Sequence, residues 1–177
     1  MQFTKTNIDG VIVVELDRIE DERGFFARTY CNEEFSKIGI DLTWAQANMS
    51  FTKTTGTFRG FHFQDQAHAE LKFIRCTKGA IWDIAVNLDT TSSNYLQHFA
   101  IELNEDNHKA LIVPAHCAHG FLTLRDDTEV HYPTSEHYSP QHENGIRFDD
   151  PSLNIEWPIS VSTVSNKDQN WPILQNN

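Results

Sequence analysis

The chain has 177 residues and a formal net charge of -11, long enough for one sizeable core and too acidic for a nucleic-acid surface, which needs a patch of excess Lys and Arg. Its apolar content, with twelve Phe, excludes a disordered chain, so one packed domain over 1–177 is expected, with no disordered tail beyond the last few residues. Nowhere are there about 18 consecutive apolar residues, and the N-terminus lacks a basic start followed by an apolar run, so a soluble, cytoplasmic protein with no membrane partner is expected.

In chain order, GVIVVEL (10–16) follows an Asp-Gly turn signal and is β-branched, which predicts a strand, and with apolar residues on both faces it is expected to be an open edge that pairing between subunits hides. DERGFFARTY puts a charged turn before an aromatic pair. NEEFSKIGI then offers Asn32 as an N-cap, Phe35 and Ile38 at helical spacing and Gly39 as a stop, and it predicts a helix. From Leu42 onward, short apolar or alternating runs recur: LTWAQANMSF, GTFRGFHFQ, LKFIRC, AIWDIAVNL, YLQHFAIEL, KALIVP, HGFLTL and TEVHY. Turn-forming clusters separate them at Lys78-Gly79, 89–94, 104–107 and Asp126-Asp127. Many short strands with few helices predict an all-β fold, and a jelly roll is the commonest closure. The segment after Tyr138 is rich in Pro, Asn and Asp and reads as ordered loop over one end of the sandwich, anchored by Trp157 and Trp171. Cys31, Cys76 and Cys117 are widely spaced with no CxxC pair, so reduced thiols are expected rather than a disulfide framework or thiolate zinc site.

The most informative stretch runs from Thr55 to Lys72, TGTFRGFHFQDQAHAELK. It sets Arg59, His62 and Lys72 among Phe58, Phe61, Phe63 and Leu71, which a sheet would bury. Burying three polar heads without partners costs several kcal/mol each, so partners must exist, and a bound anion is the simplest. Alternation puts Phe61 and Phe63 on one face and His62 and Gln64 on the other. Such a polar face fits either a solvated strand or the floor of a cleft.

Several motifs stand in order with this stretch: DERGFF at 21–26, QANMS at 46–50, PAHCAHGF at 114–121, EVHY, EHYSP, DDPSLNIEWP and SNKD. Together they resemble the dTDP-4-dehydrorhamnose 3,5-epimerase family from Asp21 to about Pro172. The resemblance implies a cupin-type jelly roll, a double-stranded β-helix with one or two short helices. It also implies cofactor-independent epimerisation of a nucleoside-diphosphate 4-keto-6-deoxyhexose at carbons flanking the ketone, in a homodimer whose N-terminal strands help complete the partner's nucleotide pocket. A C–H beside a carbonyl is acidic because its anion is an enolate. Inversion therefore needs a base on one face, a cation at the keto oxygen and an acid on the other face. By resemblance these are His62 with its carboxylate Asp168, Lys72, and Tyr132. Substrate contacts fall by the same resemblance on Arg23, Gln46, Asn48, Arg59, His119, Glu143 and Lys167, with Tyr138 stacking on the base. Guanidinium forks suit diphosphate oxygens.

Taken singly, the same residues have plainer readings. Arg23 and Asp21 make a local ion pair, Tyr132 and Tyr138 are packing aromatics, Asp168 is an exposed acid in a polar tail, and His119 is a core histidine. His62, His116 and His119 raise a metal site, but position 64 is Gln where a Glu ligand would stand, and no metal is expected. The chain departs from the family pattern at Arg28, His116, Cys117 and Pro133 to Ser135. These departures leave open the nucleotide, the sugar, and whether one carbon or two are inverted. The alternatives are a single-carbon epimerase or ketoisomerase of a CDP-, GDP- or dTDP-keto-sugar, and a sugar-binding protein without turnover.

Overall fold

The nine apolar and alternating runs become nine of the fourteen strands found among the described residues of the computed structural model, which covers 1–174. The expected disorder of the last few residues lies outside the described residues. In chain order the strands are β1 (Gln2–Lys5), β2 (Ile12–Glu15), β3 (Arg18–Asp21), β4 (Gly24–Ala27), β5 (Gln46–Thr52), β6 (Thr57–Gln64) and β7 (Lys72–Lys78). They continue as β8 (Ala80–Asn87), β9 (His98–Asn104), β10 (Ala110–Val113), β11 (Cys117–Thr123), β12 (Thr128–Thr134), β13 (Glu143–Gly145) and β14 (Thr163–Val164). One sheet has the order β1-β2-β10-β7-β12-β5 and the other β13-β6-β11-β8-β9, with β14 alongside β6 and the β3–β4 hairpin standing apart. From β5 to β13 the chain passes back and forth between the two sheets, which is the expected jelly roll. All four turn clusters fall at strand junctions, with Lys78 closing β7 and Asn104 closing β9.

Three apolar clusters hold the layers. Val13, Ile74 and Leu111 of the first sheet meet Ile81, Ala85 and Phe121 of the second between the sheets. Outside the first sheet, Ile12, Val14, Phe73 and Ile112 are covered by Phe35 of α1 (Asn32–Ser36). Outside the second, Phe58, Phe61, Ile84 and Leu122 are covered by Ile146, Leu153 and Trp157 of the C-terminal segment. Each fully buried aliphatic or aromatic side chain contributes about 1.5–3 kcal/mol, so the tail is part of the core rather than an appendage.

Three expectations need correction. Asn32 is the first residue of α1 and not its cap; Cys31 occupies the N-cap position without a side-chain hydrogen bond. The GVIVVEL strand is no open edge, because β2 lies between β1 and β10 and both its faces are covered. The C-terminal segment is not loop alone. It contributes β13, β14 and a second short helix, α2 (Asn166–Gln169), though Trp157 does anchor it on Phe58 at 5.3 Å between ring centroids.

One irregularity decides what faces the space between the sheets. Simple alternation puts Arg59 on the same face as Phe61, away from His62. Opposite β6, however, His119 pairs with His62 and Phe121 with Arg59, so two residues of β11 span three of β6. This β-bulge shifts the side-chain parity, and Arg59 joins His62 on the inner face. Gly60 sits in the bulge at φ +132, where a Cβ would lie 2.5 Å from Gly120 Cα and 2.8 Å from the His119 carbonyl oxygen. Gly60→Ala should therefore destabilise the fold by about 2 kcal/mol or more. A urea midpoint unchanged from wild type would show that the bulge does not need glycine.

Candidate active site

At one end of the sandwich the inner faces turn from apolar to polar. Edge strand β5 directs Gln46, Asn48 and Ser50 inward, because every second residue shares a face, and leaves Ala47, Met49 and Phe51 outside. Lys72 enters from β7, Tyr132 from β12, His62 from β6 and His119 from β11. Between them lie two adjoining hollows of about 270 and 460 Å³ that share His62, Lys72 and Tyr132. That size suits a small-molecule ligand.

His62 Nε2 lies 2.7 Å from Asp168 Oδ1. An ionised carboxylate only accepts, so Nε2 carries the hydrogen and Nδ1 keeps its lone pair. Asp168 is no exposed acid: it is buried, 4% exposed, on α2. The Ser165 hydroxyl caps that helix by accepting from the Asp168 N–H at 3.1 Å, and the Gly60 N–H points at the carboxylate from 3.5 Å. Ser165 followed three residues later by an acid is a helix-start signature that was present in SNKD. Trp171 backs the pair, its ring 6.5 Å from that of His62 and packed on Gly145.

Burial pushes the Asp168 carboxyl up, but the hydrogen bond and charge of His62, with the Gly60 N–H and Ser165, hold it below the ordinary 3.8. A depressed carboxyl stabilises the fold above its unfolded value and loses that contribution as pH falls through its folded value, below about pH 4. Asp168→Asn should therefore narrow the stability difference between pH 7 and pH 3, read from urea midpoints at both. An unchanged difference would remove the carboxylate from the acid transition.

Lys72 is buried, and burial lowers its pKa against the pull of Glu70. Its Nζ donates to the His62 carbonyl at 3.2 Å and meets Glu70 Oε1 at 3.3 Å. Tyr132 is raised, first by burial and then by the charge of Glu70. It lines both hollows, and so it does more than pack across strands. Arg59 Nε donates to Thr52 Oγ1 at 2.9 Å and its Nη2 to the Phe51 carbonyl at 3.2 Å, which holds the guanidinium at the rim of the larger hollow.

At the mouth, Glu143 accepts from the Tyr138 hydroxyl at 2.6 Å and from Lys167 Nζ at 2.5 Å. Tyr138 remains about half exposed, with its ring available to a flat ligand, and its backbone N–H donates to Gln46 Oε1 at 3.0 Å. Gln46 Nε2 in turn donates to Asn48 Oδ1 at 3.3 Å. Eleven of the twelve residues taken from the resemblance thus come together around this space. The exception is Arg23, exposed at the tip of the β3–β4 hairpin and held by Asp21.

Sequence reasoning gave no role to three contributors, one of which, Gln64, it placed only on the polar face beside His62. Asp83, fully buried, accepts from His119 Nε2 at 2.7 Å, making a second His–Asp pair on the inner face. An acid inside the apolar run AIWDIAV was its signal. Glu70 is the second. Gln64 is the third: its Nε2 donates to the carbonyls of His68 and His137 and its Oε1 accepts from the Ser139 N–H, which ties down the loop that carries Tyr138. His116 lies elsewhere, its ring 3.1 Å from the Asp9 carbonyl. Among the described residues no three His, Cys, Asp or Glu side chains converge to hold a metal. Cys76 and Cys117 are free and buried, and burial pushes both thiols up to about 12.

A model of the dTDP-4-dehydrorhamnose 3,5-epimerase family matches residues 5–176. The chain belongs to that family. A dTDP-4-dehydrorhamnose 3,5-epimerase of Methanothermobacter thermautotrophicus is 36% identical, over 99% of this chain and 96% of its own length. The crystal structure of the Bacillus anthracis dTDP-4-dehydrorhamnose 3,5-epimerase with TDP and PPi bound superposes with a TM-score of 0.94 at 36% identity, covering 98% of this chain and 99% of that one. A dTDP-4-dehydrorhamnose 3-epimerase of Streptomyces niveus is 32% identical over 98% of this chain and 84% of its own length. The dTDP-4-dehydrorhamnose 3,5-epimerase family therefore includes close relatives named for one inverted carbon as well as for two.

Proposed function

We propose that this chain is a cofactor-independent isomerase that converts dTDP-4-dehydro-6-deoxyglucose to dTDP-4-dehydrorhamnose by inverting C3 and C5. The observation that carries the reading is the His62–Asp168 pair facing the same hollow as Lys72 and Tyr132. His62 Nδ1 removes the proton beside the ketone, and Asp168 supports the imidazolium that results. Lys72 donates to the oxygen that becomes the enolate, in a site where burial strengthens the interaction. Tyr132 returns a proton to the opposite face of the ring. Arg59 holds diphosphate oxygens, His119 contacts the sugar, and Tyr138 stacks on the base beside Gln46, Asn48, Glu143 and Lys167.

A single-carbon epimerase is the second reading, favoured by the likeness to the Streptomyces niveus 3-epimerase. Incubation with dTDP-4-keto-6-deoxyglucose in deuterated water separates the two. Deuterium at C3 and C5 is expected; deuterium at one carbon supports the second reading, and at neither it rejects both. A chelator should leave turnover unchanged, and loss restored by zinc, iron or manganese would bring metal into the mechanism.

The reading includes a cytoplasmic homodimer; among the described residues no helix is long and apolar enough to cross a membrane. Among the described residues, edge strand β5 pairs only with β12, and it turns Met49 and Phe51 to solvent, while the β3–β4 hairpin exposes Ile19 and Phe26. Unpaired edges and apolar patches of this kind call for a partner. A hairpin laid on the partner's β5 would carry Arg23 toward the partner's cavity, in keeping with its distance from its own. Light scattering at micromolar concentration should give twice the chain mass, and a fully active monomer would reject the arrangement.

A further inference from the structure

Glu70 has no part in the reaction as proposed, yet it stands in the cavity. Its side chain is only 11% exposed, on the residue two before Lys72, and it lines the smaller hollow with His62, Lys72, Tyr132 and Glu143. A carboxylate in a site meant for an anionic sugar nucleotide repels its ligand, so its presence there calls for a reason.

That reason lies in the ammonium beside it. Lys72 is more deeply buried still, and an ammonium out of water is strongly disfavoured unless a counter-charge is in contact. Its contacts are the His62 carbonyl, which is neutral, and Glu70. Other charged or titratable groups face it from neighbouring elements: Glu143 from β13, Asp83 from β8, His62 and Arg59 from β6, and Tyr132 from β12. Glu143 already holds Lys167 and Tyr138, and Asp83 already holds His119. Glu70 alone among these carboxylates touches Lys72.

We infer that Glu70 is the counter-ion that keeps Lys72 charged and aimed into the cavity, and that it is therefore a positioning residue for the reaction. The inference rests on the epimerase reading for its consequence in turnover, but not for the ion pair itself. The geometry leaves Lys72 free to act. An ammonium has three donors, two are engaged, and the 3.3 Å contact to Glu70 is long for a charge-assisted hydrogen bond. The third N–H can meet a ligand oxygen without the counter-ion being displaced. The same carboxylate adds to the burial of Tyr132 in keeping that phenol protonated.

The test compares wild type with Glu70→Gln, which keeps the shape and removes the charge, and with Glu70→Asp, which keeps the charge on a shorter stem. Lys72 is followed by NMR of its side-chain 13Cε and 15Nζ in the free protein, and kcat and KM for dTDP-4-keto-6-deoxyglucose are measured across pH. In Glu70→Gln the Lys72 titration should move down by at least one pH unit. The basic limb of kcat should follow it, because the protonated fraction is lost earlier as pH rises, while KM changes by less than kcat. Glu70→Asp should restore most of both, and it carries the test if the Gln variant does not fold: an Asp variant with Lys72 titrating as in wild type and a near-normal basic limb is then expected, against a limb displaced as for a missing charge. Identical Lys72 titration in wild type and Glu70→Gln would overturn the inference. Wild type that neither turns over nor exchanges deuterium, with the Lys72 titration still dependent on Glu70, would sink the epimerase reading and leave the counter-ion standing.

Discussion

His62→Ala, and likewise His62→Asn, should lose about 100-fold to 10,000-fold in turnover, the range typical for removal of a general base, while the protein stays folded. The folding half of this expectation comes from the side chain's position. His62 is partly exposed to the cavity, and its ring contacts Asp168 and the edge of Trp171, so truncation opens space already continuous with solvent instead of a sealed void. The loss should appear in deuterium exchange as much as in product, because proton removal precedes every later step. Removing the imidazole also leaves Asp168 buried without its main partner, so some loss of stability below that of a core deletion is expected. Turnover within a few-fold of wild type, in a variant that remains folded in a urea titration, would take the base away from His62.

Tyr132→Phe should separate exchange from inversion. Once His62 has taken the proton, return by the same imidazole regenerates substrate, whereas inversion needs a donor on the far face of the ring. The phenyl ring of the variant keeps the packing of Tyr132 against the core between the sheets, so the structural cost should be small. Its hydroxyl is an acid suited to protonating a carbanion, and burial together with Glu70 keeps it protonated through neutral pH. Solvent deuterium should still enter the sugar while the yield of inverted product falls at least tenfold. Pro133 bears on the outcome. It follows Tyr132 in β12, opposite Ala47 of β5, and lacks the N–H that a ladder residue would donate. If inversion fails at one carbon more than at the other, the phenol is aimed unequally at the two. Washout and inversion both at wild-type rates would leave Tyr132 a packing residue.

Local rules were enough to read much of this protein. The β-branched and alternating runs, with their turn clusters, specified an all-β chain with strands near the right places, because strand patterning and turn chemistry depend on neighbouring residues. Order and identity of the motifs from Asp21 to Pro172 specified the family and, through it, the side chains that converge on the cavity. Other features needed the folded chain. Arg59 faces the cavity only because β6 gains a residue against β11 at Gly60, and register between strands distant in sequence is set by their pairing, not by their own pattern. Asp168 looks like a solvated acid in a polar tail until α2 docks against β6 and buries it on His62. Asp83 and Glu70 carry no motif, and each becomes informative through one contact made across strands or along a buried edge. The chain by itself determined the central strands, the first helix and the family they serve; the tertiary structure decided which charges lose water, since burial and partnership are properties of packing between segments that the local sequence does not encode.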